Sequence, residues 1–172
     1  MKHMNKSFTL IFLLLLAGQL LISNYFHVTP YLLLTMLPTM ILCIPSRYST
    51  TVALFVAFAT GFVVDFLTEG LAGLNIAALV PVAFSRKGII RLVFGEDLFS
   101  RGDDFSIKRY GLGKVAMAIL LATSLFLFIY IAADGAGIRP LWFNTLRFFG
   151  SLIISFLLSL CVADLLTPDD RK

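Results

Sequence analysis

VAMAILLATSLFLFIYIAA (115–133) runs for nineteen residues between Lys114 and Asp134 without a charge, and this stretch decides the class of the fold. A helix rises about 1.5 Å per residue, so nineteen residues reach roughly 28 Å, close to the ~30 Å hydrocarbon core of a bilayer. Five further stretches share this character: Phe8–Phe26, Tyr31–Ile44, Thr50–Leu67, Leu71–Phe84 and Thr145–Leu166. The sequence therefore predicts an all-α, polytopic membrane protein, with about six transmembrane helices packed as one bundle over residues 1–172. The stretches 31–44 and 71–84 have only 14 residues each and contain Pro38 and Pro81. Either the bilayer thins around them, or one is re-entrant and shielded by its neighbours.

Charge sets the expected orientation. Of the 14 Lys and Arg residues, all but Arg139 and Arg147 fall before the first stretch, in the second and fourth connections, or after the last stretch. Cytoplasmic loops carry the excess of cations in multi-pass proteins, so both termini are expected in the cytoplasm. The basic N-terminal residues Lys2 and Lys6 precede an apolar run that continues to Ile22 with no small-residue cleavage pattern before Gly18 or Gln19, which reads as a retained helix.

Composition excludes several classes. Apolar residues make up 59% and charged residues 14%, against about 25% charged in soluble domains, and the mean hydropathy is +0.92. The net charge of +4 is spread over membrane-flanking loops, where it suits anionic lipid rather than nucleic acid. Cys43 and Cys161 stand alone in apolar runs and carry neither a disulfide nor a zinc spacing. Asp65 and Asp164 are expected at opposite membrane faces, as are His3 and His27, so no shared-proton carboxylate pair or metal cluster assembles. No glycine-rich phosphate loop is present. No enzyme activity, metal or cofactor is expected.

The connection 85–110 begins with Arg86-Lys87-Gly-Ile-Ile-Arg91, which interleaves cations with apolar residues as an interface-lying segment does. Arg86, Lys87 and Arg91 are therefore candidate contacts to lipid headgroups or to a cytoplasmic partner.

Charges at membrane depth cost about 2.5–3.5 kcal/mol on insertion scales, so those that persist are informative. Asp65 and Arg147 qualify. Each sits on a ridge of small residues spaced four apart: Ala53, Ala57, Gly61 and Asp65 on one helix, and Arg147, Ser151, Ser155 and Ser159 on another. Such ridges let helix backbones approach closely. Antiparallel packing of the two ridges would bring Asp65 opposite Arg147 as an ion pair, whereas separate snorkelling would leave the two charges apart. The serines can instead bond back to the carbonyl four residues earlier, and either ridge can receive a partner helix.

The run Gly61-Phe-Val-Val-Asp65-Phe-Leu-Thr68, followed by Gly73-Leu-Asn75 and then Arg86, resembles the bacterial rod shape-determining protein MreD family, which carries a Gly-x-x-x-Asp run, a small-residue turn, a Gly-Leu pair and a basic exit in its central hairpin. Asn75 stands where many members have His, and 85–110 is longer than the usual loop. The resemblance implies a non-catalytic subunit of the cell-elongation machinery in the inner membrane of a bacterial cell. Such a subunit binds the transmembrane helix of MreC and links MreB filaments, directly or indirectly, to peptidoglycan synthases. It also implies a fold similar to the substrate-capture components of energy-coupling-factor vitamin transporters. Candidate packing or partner contacts are thus Ala57, Gly61, Asp65, Gly73, Asn75, Arg147, Ser151 and Ser155, with a second copy of the chain among the candidate partners. The competing reading is a vitamin-type capture subunit, whose outer pocket would draw on Asp65, Glu69, Asn75, Trp142, Asn144 and Arg147.

Overall fold

The computed structural model describes residues 6–25, 32–46, 48–69, 73–95, 110–135 and 139–166, and every regular element among them is helical. In chain order these are α1 (Lys6–Tyr25), α2 (Leu37–Leu42), α3 (Thr50–Val64), a π-helical turn (Asp65–Glu69), α4 (Leu74–Phe94), α5 (Leu112–Asp134) and α6 (Leu141–Leu166). Four segments, Phe8–Tyr25, Thr50–Thr68, Leu112–Asp134 and Leu141–Leu166, are long and apolar enough to cross a membrane.

The outside of the bundle is as apolar as its inside. Phe55, Phe58 and Phe62 line the outward face of α3, Phe66 continues it on the π turn, and Leu10, Leu13, Leu14 and Leu21 line that of α1, all well exposed. Soluble monomers rarely leave apolar patches beyond a few hundred Å² uncovered. Lipid is the medium that suits such a surface.

The helix α4 occupies the middle. It packs along α3 on one side and α5 on the other, with α2 against it, while α6 packs on α5 and α1 lies at the edge against α6, α2 and the π turn. Small side chains make this close packing available: Ala53, Ala57, Ala78, Ala83, Ala118 and Ala122 are all fully buried. Without a hydrophobic driving force between helices in lipid, such backbone approach is a main source of cohesion.

Two expectations for the short spans change. The stretch 31–44 is not a continuous helix. Residues 32–36 carry no helical assignment, and only the six residues Leu37–Leu42 coil. Pro38 sits in the first turn of α2, where a missing N–H is harmless, but its ring excludes the carbonyl four residues earlier and blocks growth of the helix backwards. Pro45 stops the helix at the other end. The stretch 71–84 errs the other way, because α4 begins at Leu74 and continues to Phe94, 21 residues in all. Residues 85–94, nearly half of α4, fall in the expected cytoplasmic connection because Arg86, Lys87 and Arg91 read as the end of an apolar span. Residues 96–109 of the expected connection 85–110 lie outside the described residues.

Candidate functional site

Asp65 closes the hairpin between α3 and α4. Its carboxylate is fully buried and accepts four hydrogen bonds. Oδ1 takes the Asn75 amide at 2.9 Å and the Asn75 Nδ2 at 2.9 Å, and Oδ2 takes the amides of Gly73 at 3.0 Å and Ile76 at 3.2 Å. These backbone donors belong to the first turn of α4 and the residue before it, which have no partner inside the helix. A carboxylate there satisfies them and faces the positive end of the helix dipole.

The surrounding residues make the approach feasible. Gly73, which precedes α4, has φ +119°, a conformation that side-chain-bearing residues rarely adopt. A β-carbon on Gly61 would lie 2.8 Å from Ile76 N, 2.9 Å from Ile76 Cα and 3.1 Å from Asn75 C, so glycine is what lets the start of α4 lie directly on α3. The hydroxyl of Thr68 donates back to Val64 O at 2.7 Å within the widened π turn. The Gly-x-x-x-Asp spacing thus has a mechanical meaning: one turn separates the point of closest backbone approach from the cap.

The expected Asp65–Arg147 pair does not form. Asp65 is saturated by its own hairpin, and Arg147 bonds to Asp134, which lies just across the α5–α6 turn and also takes Arg139 Nη1 at 3.1 Å. A partner 13 residues away is entropically nearer than one on a distant helix. Nor do α3 and α6 pack through their ridges. Ala57 and Gly61 are buried against α4, which is the neighbour of α3 throughout.

The serine ridge of α6 holds residues 32–36 instead. Ser151 Oγ accepts from Leu33 N at 2.8 Å, while Ser155 Oγ accepts from Thr35 N at 3.1 Å and donates to Leu33 O at 3.1 Å. From the other side, Gln19 of α1 donates through Nε2 to Leu34 O at 3.1 Å and accepts through Oε1 from Met36 N at 2.9 Å. Odd-numbered backbone groups therefore face α6 and even-numbered ones face α1. Leu34 O is the carbonyl that Pro38 would strand, and Gln19 is the residue that satisfies it. Non-helical backbone at membrane depth is tolerated only when buried in protein and bonded in this way. The serines do not bond back to their own helix.

Arg86 is a further correction. It is 1% exposed and donates through Nε to Leu42 O at 3.1 Å and through Nη2 to Ile44 O. It caps the carbonyl end of α2, where the dipole favours a cation, and it does not face headgroups. Arg86 lies about 16 Å along α4 from Asn75. Lys87 is half-buried and Arg91 exposed on the same helix.

Sequence reasoning passes over Gln19 and gives Arg86 the wrong surroundings. Gln19 reads in the sequence only as a polar interruption near an absent cleavage pattern, yet an amide inside an apolar run is a recognised helix–helix bridge. Arg86 continues the buried stripe of Asn75, Leu79, Val82 and Ala83 on α4, a helical periodicity that marked it as inward-facing. Among the described residues no group of three His, Cys, Asp or Glu side chains is placed to hold a metal. No known protein family, curated protein or solved structure matches the chain.

Proposed function

We propose that this chain is a non-catalytic, multi-pass subunit of the bacterial cell-elongation machinery, of the MreD type. In this reading it crosses the inner membrane six times with both termini cytoplasmic: α1, the clamped segment with α2, then α3, α4, α5 and α6. It receives the transmembrane helix of MreC and links MreB filaments to peptidoglycan synthesis.

The observation that carries the reading is the convergence of Gly61, Asp65, Gly73 and Asn75, the residues of the resemblance, on one hairpin joint. Their work is architectural: they lock two helices into a rigid pair. A rigid bundle with outward apolar faces on α1 and α3 suits a helix-binding scaffold. A vitamin-capture subunit would need Asp65, Asn75 and Arg147 directed at a ligand, whereas Asp65 and Asn75 are bonded to each other and Arg147 is bonded to Asp134.

The test is co-purification of the tagged chain from bacterial membranes. Recovery of a bitopic cell-wall protein, reduced when the hairpin joint is disrupted by Gly61→Val, supports the scaffold. Recovery of an ATPase module or a bound vitamin would move the assignment to the capture subunit.

A further inference from the structure

The α5–α6 turn carries a charge imbalance that the helix packing does not use. Two guanidinium groups, those of Arg139 and Arg147, converge on a single carboxylate oxygen, Asp134 Oδ2. The cluster therefore keeps one positive charge in excess. Arg147 is 9% exposed, and its Nε has no hydrogen-bond partner. The Arg139 side chain is 33% exposed, so the excess charge is presented outward through it.

Three features aim this charge at a membrane surface. Arg139 stands two residues before the 26-residue helix α6, whose Leu141 and Trp142 amides have no acceptor inside the helix and whose dipole is positive there. Its guanidinium carbon lies 5.5 Å from the centroid of the Phe143 ring, which holds it against the first turn. Leu141 and Trp142 in that same turn are 84% and 66% exposed, and a tryptophan so placed marks headgroup depth.

We propose that Arg139, backed by Arg147 and the start of α6, is a binding site for a phosphate group, specifically the phosphodiester of an anionic phospholipid in the leaflet that contains the α5–α6 turn. Arg139 meets the phosphate directly. Arg147 holds Asp134 and strengthens the field from behind, and Leu141 and Trp142 contact the acyl chains below. The site does not depend on the proposed partner helix.

Trp142 is the only tryptophan in the chain and reports on the site. The full chain is reconstituted into vesicles of phosphatidylcholine and phosphatidylglycerol, with one or the other lipid brominated, and quenching of Trp142 is read against mole fraction. Brominated phosphatidylglycerol should reach half-maximal quenching at about a fivefold lower fraction than brominated phosphatidylcholine, the size expected of one cation near an anionic headgroup. Arg139→Gln, which leaves the Arg147–Asp134 pair in place, should make the two lipids equal, whereas Lys87→Gln should keep the preference. Equal quenching in the wild type, or a preference that survives Arg139→Gln, overturns the proposal. A preference erased by millimolar inorganic phosphate assigns the site to a free anion and overturns the lipid reading.

Discussion

Gly61 and Asp65 act one helical turn apart, and substitutions separate their roles. Gly61→Ala drives a methyl group into the backbone of Asn75 and Ile76 and should destabilise the protein by about 1–3 kcal/mol, the usual range for overpacking. Gly88→Ala, on the same bundle but with nothing within 4 Å of the new carbon, should be neutral or stabilising by up to about 1 kcal/mol. Thermal melting in detergent distinguishes them; equal losses would refute the close-approach account of Gly61. Asp65→Ala strands the buried amide of Asn75 and the partly buried amides of Gly73 and Ile76 and should lose about 3 kcal/mol or more. Asp65→Asn keeps one acceptor oxygen and turns a donor toward the remaining amides, so its melting temperature should fall between those of wild type and Asp65→Ala. Asp65 and Gly61 were legible in the sequence as important positions, because a charge at membrane depth and a glycine one turn earlier are rare together. Their partner was not, because a carboxylate reads alike whether it faces an arginine or the start of a helix.

At the scale of elements, the segment 32–36 and the serines of α6 give a graded expectation from chemically identical changes. Ser155 makes two bonds to the segment, Ser151 one, and Ser159 none. Ser155→Ala should cost the most stability, about 1–2 kcal/mol, Ser151→Ala less, and Ser159→Ala should stay within about 0.5 kcal/mol of wild type. In hydrogen exchange, the amides of Leu33 and Thr35 should lose protection in Ser155→Ala, and that of Met36 in Gln19→Leu. The four-residue spacing of the serines identified a packing ridge correctly but could not name what packs on it. Spacing describes one surface, and its occupant here is a piece of backbone whose own sequence, Leu-Leu-Leu-Thr-Met, carries no polar pattern to match. Pro38 was the available clue, since a proline near the middle of a 14-residue stretch must free a carbonyl.

For the whole molecule, hydropathy gave the all-helical membrane class directly, because apolar length answers to bilayer thickness and little else. The neighbours of each helix were less accessible. Four-residue ridges suggested α3 against α6, while the structure sets α3 on α4, its partner across a short turn. Cysteines introduced at Ala57 and Ser155 should therefore give no disulfide under oxidation, and a strong crosslink would contradict the arrangement. The sidedness of the bundle is also testable. Contact of the Phe94 ring with Tyr110 at 5.2 Å brings the end of α4 to the start of α5, so α5 runs back to the side where α4 began. A membrane-impermeant maleimide should label Arg91→Cys and Arg139→Cys from opposite faces of the membrane.

The clamp on residues 32–36 has a consequence for the order in which the protein is made. Its hydrogen bonds to Ser151 and Ser155 join residues 118 to 122 positions apart. During synthesis, that segment emerges from the ribosome long before its clamp exists, and for most of translation its backbone has only Gln19 to bond with. Assembly thus waits on the last helix. A nascent chain halted before residue 141 would hold an unfinished second element that lipid cannot satisfy, a ready signal for membrane proteases, and pulse-chase of such a truncation should give a much shorter half-life than that of the full chain.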